Sequence, residues 1–324
     1  MCNTRSKNTA LHDEFLRLQI IRTWAYLDRP TSWHAPMSLL AEITAIFSAM
    51  GWASDSVLVR LGLRRSNIFA AMLMSFAVST ACMWSYLIAT TSLEFLSSPA
   101  MIYFVISGCV QPLLARALFY EGITRIGVAR AGPLRGTEPL FATIIGVSFL
   151  HEEPGALVYV GTILIMTSLW LISGQHDGAA KWRLVDTAFP ISAALVSAIS
   201  QSLRKQGLKI LPDPFVAVAV VTTVSLILFL IFVLITGRAK SLRMERQGFS
   251  FFLAAALLAT AAQVLNFIAL GRGELSVIIP LLNTTPLFTV LLSVLFLRKV
   301  ETVNRRIVFG ALLMFAGIVT ITSR

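Results

Sequence analysis

The chain has 324 residues, 56% of them hydrophobic and 13% charged, with 27 basic against 16 acidic side chains for a formal charge of +11. Soluble domains carry about 25% charged residues, so this composition belongs in lipid and excludes an ordinary water-soluble enzyme or binding module. The basic residues are spread over many short connections rather than gathered on one arm or helix, which assigns them to topology and lipid headgroups and leaves no nucleic-acid partner.

Residues 1–36 carry Arg5, Lys7, Arg17, Arg22 and Arg29 around a short, charge-interrupted apolar stretch, which is not a secretory signal. Leu11, Phe15 and Leu18 fall at helical spacing with Arg17 and Arg22 off that stripe, so the segment reads either as an amphipathic helix on the membrane surface or as an unstructured tail. Apolar runs then recur, each long enough to cross a hydrocarbon core about 30 Å thick. The first five are 37–58, 68–88, 100–120, 128–150 and 156–173, and after a polar break come 184–203, 216–235, 249–270, 275–297 and 307–322. None alternates as a barrel strand would, so the expected fold is an all-α integral membrane protein of ten transmembrane helices. The expected organisation is a tail 1–36, a five-helix repeat 37–174, a linker 175–182 and a second five-helix repeat 183–324.

The two halves repeat one another. The segment from Pro133 to Phe141, PLRGTEPLF, returns 147 residues later from Pro280 to Phe288 as PLLNTTPLF, six of nine residues being identical. Ala49, Ala53, Leu58, Gly62 and Leu63 recur 145 residues on as Ala194, Ala198, Leu203, Gly207 and Leu208, with Arg60 answered by Lys205 and, further along, Glu152 by Glu301. Five spans are an odd number, so the second copy enters the membrane upside down, the inverted repeat of many secondary transporters. With ten spans both termini lie on one side. Loop charge, reading Arg204, Lys205, Lys209 and Arg272 as loop residues, favours the termini outside.

The pattern resembles the drug/metabolite transporter superfamily, in its ten-helix EamA-like branch. It rests on the turn YEGITRIGVAR from Tyr120 to Arg130, the Pro-Leu-Phe of span four and FLHE from Phe149 to Glu152, in that order and with the duplication, over residues 38–322. The resemblance implies alternating access around a central cavity lined mainly by the first, third and fourth helices of each half, cytoplasmic termini and a bacterial inner membrane. The stretch from Arg135 to Pro139 also resembles the basic-x-x-Glu-Pro segment of triose-phosphate and nucleotide-sugar translocators, whose basic residue helps bind phosphate. Those proteins carry a basic pair in the matching helix of the second half, where this chain has Leu282, Asn283, Thr284 and Thr285. A shorter likeness, Leu40-Ala-Glu-Ile43, is similar to the first helix of small multidrug exporters that trade protons for cationic drugs.

Arg135 and Glu138 lie one turn apart near the centre of span four, where each charge costs about 2.5 to 3.5 kcal/mol on insertion scales. They read as a guanidinium fork for a carboxylate or phosphate with its counter-ion or proton carrier, or as an ion pair that locks the bundle. Pro133 and Pro139, with Pro280 and Pro286 in the repeat, remove backbone donors and bend the helices, which either frees carbonyls to line a cavity or only shapes the bundle. Asn283 and Thr284 offer neutral hydrogen bonds from the repeat position. Arg116, with Gln263 at its repeat position, reads as a site residue or as an arginine snorkelling from a span end. Glu42 and Asp55 read as solvated helix ends or as proton carriers, Gln111 and Asn266 as site groups or interhelical bonds, Trp84 and Trp170 as lipid-facing, and Trp52 as a lipid-facing ring or a cavity wall. Cys2, Cys82 and Cys109 lack metal-ligand spacing, and no phosphate loop, zinc motif or nucleophile elbow is present, so no cofactor and no enzyme chemistry is expected.

The expected function is secondary transport of a small metabolite or amphipathic compound, anionic or zwitterionic at Arg135, coupled to a proton or counter-substrate. The alternatives are a membrane-embedded enzyme or lipid-handling protein, and a proton-coupled exporter of cationic drugs.

Overall fold

A computed structural model describes residues 34–64, 66–91, 93–126, 128–173, 183–243, 246–296 and 305–323. The tail reading, the linker 175–182 and Glu301 lie outside them. The first half runs α1 (His34–Leu63), α2 (Ile68–Thr90), α3 (Ala100–Cys109), α4 (Ala115–Ile126), α5 (Val128–Arg135), α6 (Glu138–Leu150) and α7 (Ala156–Ser173). The second runs α8 (Ala188–Ile210), α9 (Pro214–Ile235), α10 (Arg246–Arg272), α11 (Leu275–Leu282), α12 (Thr285–Phe296) and α13 (Arg305–Thr322). No strand occurs among the described residues. In the first half α3 with α4, and α5 with α6, are single passes broken in the middle, as are α11 with α12 in the second. The described helices therefore make five passes in each half, ten in all.

The breaks have local causes. Gln111 precedes Pro112, and the proline ring pushes the preceding residue out of the helical region, to φ −130° and ψ 133°. A π-helical turn, Val110–Leu114, absorbs the interruption between α3 and α4. Pro139 and Pro286 lack the N–H that would continue each fourth pass. At each break the repeated threonine turns its hydroxyl back onto the preceding helix: Thr137 donates to the Leu134 carbonyl at 2.7 Å, and Thr284 donates to the Leu281 carbonyl at 2.6 Å. Elsewhere, Asn67 caps α2 by accepting from the Ala70 amide, and Asp213 caps α9 by accepting from Phe215 and Val216.

In lipid, apolar side chains gain little by touching each other, so close backbone approach and interhelical hydrogen bonds hold the passes together. The repeated glycines are such approaches. Gly207 of α8 lies under the ring of Phe104 in α3, and Gly62 of α1 lies under the ring of Phe252 in α10, so a Cβ at either would collide with the ring. The first helix of each half thus packs on the third pass of the other. Ser48 donates to the Ala262 carbonyl, Ser79 pairs with Thr260, and Ser168 of α7 donates to the Gly310 carbonyl of α13. Trp84 donates to Thr223 at 2.8 Å, which makes it an interhelical bond and not a lipid-facing ring. Trp170, 65% exposed, faces outward as expected.

Three expectations change. α8 continues past Leu203 to Ile210, so Arg204 and Lys205 are buried helix residues, 4% and 8% exposed, and not loop charges. The third pass runs to Ile126, which leaves Arg116 about three turns inside its end and removes the snorkelling explanation. Glu42 is 3% exposed and Asp55 is partly buried, so neither is a solvated end.

Candidate functional site

The break in the fourth pass sets the centre. Arg135 ends α5 and Glu138 opens α6, where the carboxylate also meets the positive end of that helix. Their side chains form an ion pair at 2.7 Å, and Arg135 turns its second nitrogen to the hydroxyl of Ser197 in α8. Gln111, thrown outward by the kink in the third pass, donates to the same hydroxyl at 3.0 Å. A bond network therefore joins both broken passes of the first repeat to the first helix of the second.

Ser197 opens a polar stripe on α8. Ser197, Ser200, Gln201 and Arg204 follow at three-, four- and seven-residue steps, which places them on one face. That face meets α3: the Ser200 and Ser107 hydroxyls are 2.9 Å apart, and Arg204 donates Nε to the Ser107 hydroxyl at 2.8 Å. Arg204 also donates to the Gln201 side chain at 3.3 Å, and its guanidinium lies 5.2 Å from the Phe267 ring centre. The stripe covers about 10 Å along the axis at 1.5 Å per residue. Two buried acceptors beside these helices, Gln111 Oε1 and Asn266 Oδ1, have no hydrogen-bond partner among the described residues.

The remaining predicted residues are distributed around this centre. Asn283 and Thr284 sit at the break of the second repeat's fourth pass, but their donors are engaged by their own helix, with Asn283 bonding the Ile279 carbonyl at 2.9 Å. Arg116 is in electrostatic contact with Asp55 of α1. Gln263 and Trp52 are partly buried, and no described hydrogen bond or ion pair joins either to Arg135 or Glu138. No cluster of potential metal ligands occurs among the described residues.

A second charged cluster closes one end of the bundle. Glu152, in the connection after α6, follows His151 in the left-handed conformation and accepts from the Leu275 amide at 2.6 Å, the Ser276 amide at 3.0 Å and the Ser276 hydroxyl at 2.8 Å. It thereby caps α11, and it pairs with Lys205 at 2.9 Å. Lys205 also donates to the Gly273 carbonyl. Burial pushes the Glu152 carboxyl toward its neutral form, but the Lys205 charge and the two amides outweigh this and hold it below the ordinary glutamate value.

Sequence reasoning missed Arg204, Ser197 and Ser107 as site groups. The visible signal was the helical spacing of polar residues inside an apolar span; it was cut short by ending that span at Leu203.

Helices Ile68–Thr90, Leu184–Ile210, Pro214–Ile235, Gly248–Arg272 and Leu275–Leu292 are long and apolar enough to cross a membrane, and the shorter apolar helices include Glu138–Leu150 and Ala156–Leu171. No curated protein matches the sequence. A solved structure, described only as a crystal structure of a protein, superposes with a TM-score of 0.72 over 87% of this chain and 98% of its own, at 14% identity, which shows a shared fold. The model of the EamA-like transporter family matches twice, over residues 39–174 and 188–323, once for each half. This membrane protein belongs to the EamA-like transporter family, whose members move small molecules across membranes.

Proposed function

We propose that the chain is a secondary transporter that carries a small anionic or zwitterionic solute by alternating access, driven by a proton or counter-substrate gradient. The observation that carries this is the Arg135–Glu138 pair at a helix break inside the bundle, bonded across the repeats to Ser197. A buried ion pair often gives no more stability than apolar packing of the same volume, so its presence at the break points to use. Its placement follows the logic of transporters, where interrupted helices present polar groups to a solute at mid-depth. Arg135 is the fork for the solute's negative group, and Glu138 holds the fork until the solute displaces it. The lipid bilayer is its surrounding partner. We place it in a bacterial inner membrane with cytoplasmic termini on the strength of the family resemblance, against the loop charge.

The test is transport by purified protein in liposomes under an imposed ion or counter-solute gradient. Movement of solute without ATP is expected, with Arg135→Gln folded but inactive and Arg135→Lys partly active, because an ammonium lacks the planar fork. Uptake that requires ATP, or an active Arg135→Gln protein, refutes the reading.

A further inference from the structure

Two of the buried cations are paired among the described residues, Arg135 with Glu138 and Lys205 with Glu152, and Arg204 is not. Arg135 and Arg204 contribute two positive charges, and Glu138 is the carboxylate both experience, as an ion partner of the first and an electrostatic neighbour of the second. Among the described residues Arg204 has no carboxylate at ion-pair distance; its fork is held by Ser107, Gln201 and the Phe267 ring, all neutral. A guanidinium that is 4% exposed and lacks a counter-ion is among the least favourable groups to keep inside a membrane protein. Methionine or leucine would fill the same volume at no electrostatic cost. The arrangement makes sense when an anion completes it.

We propose that Arg204 is a second anion-binding residue of the transport path, and that the polar face of α8 from Ser197 to Arg204 is the track along which the negative group of the solute moves between the two guanidiniums. This rests on the transport reading above and narrows it from an anionic or zwitterionic solute to one with net negative charge. Two features beyond the unpaired guanidinium support the track. Hydroxyls and amides line the interval, so an anion leaving Arg135 meets donors at Ser197 and Ser200 before it reaches Arg204. Arg204 is also oriented: its Nε is fixed by Ser107, which aims the guanidinium as planar anion recognition requires.

The experiment is thermal melting of the purified full chain titrated separately with succinate, glutamate and glycerol 3-phosphate, with choline as the cationic control. At least one of the anions is expected to raise the melting temperature with saturable dependence, and choline is expected to have no effect. Arg204→Gln should weaken the apparent affinity for that anion about tenfold or more, since a bond to a charged group contributes at least a tenfold factor, and Arg204→Lys should recover part of it. If Arg204→Gln does not fold, Ser107→Ala keeps the charge and removes its orientation, and should weaken the anion severalfold. Anion binding unchanged in Arg204→Gln, or in Ser107→Ala where that is the variant available, overturns the proposal; if Arg135→Gln abolishes that binding, the transport reading survives alone. Stabilisation by choline instead, or by none of the three anions, overturns the anionic path altogether.

Discussion

Glu152 offers the sharpest stability test because its partners are identified and come from the other repeat. Its carboxylate accepts three hydrogen bonds at the start of α11 and pairs with Lys205 of α8. Glu152→Gln keeps the size and an oxygen for the amides but leaves Lys205 charged, 8% exposed and without its ion-pair carboxylate, with the Gly273 carbonyl and the charge of Glu274 as its remaining support. Removing one partner of a buried pair costs about 3 to 5 kcal/mol. Glu152→Ala adds the lost cap, about 1 kcal/mol more. In the double variant Glu152→Gln, Lys205→Met the stranded charge is gone, so more than half of the loss should return. Melting of the wild type, Glu152→Gln, Lys205→Met and the double variant in one detergent measures the coupling. The pH dependence is a second readout. The folded Glu152 carboxyl lies below its ordinary value of 4.5, so its contribution is complete above that value and is lost as pH falls through the folded value. Wild-type stability should therefore decline on that acid limb, and Glu152→Gln should flatten it. A Glu152→Gln protein that melts with the wild type, or a double variant no better than the single, refutes the bracket.

The other outcomes concern packing and topology. Gly207→Leu and Gly62→Leu should each separate a first helix from the phenylalanine over it and lower the melting temperature, with overpacking costing about 1 to 3 kcal/mol or more; a silent effect at both would refute the paired crossing. Thr284→Val, measured by the same melting assay, should cost about 1 kcal/mol or less, because only the hydroxyl bond is lost while the Thr284 amide still donates to the Leu281 carbonyl at 3.2 Å. Reporter fusions at the two ends should give the same compartment signal, and opposite signals would remove one pass and with it the inverted repeat.

Much of the architecture could be read from the sequence because lipid imposes a simple rule: an apolar run of sufficient length is a helix. The repeated residues were also legible as repeats, and the structure supplies their reasons. Gly62 and Gly207 each lie beneath a phenylalanine of the opposite half, and Thr137 and Thr284 each turn a hydroxyl back onto the helix that ends at the break. The errors share one cause. Hydropathy along the chain treats a charge as a boundary, whereas burial depends on what lies across the interface. Arg204 ended the predicted sixth span, yet it is buried because Ser107 of another pass meets its fork and Phe267 its face. Arg116 looked terminal because the run breaks at Pro112 and fades after Tyr120, although the pass goes on to Ile126. Lys205 looked like a loop charge for the same reason, and with Glu152 it binds one half to the other. The charges that a span predictor uses to find its ends are, in this chain, the groups that join the two repeats, so the residues least consistent with a membrane helix are where its function should be sought.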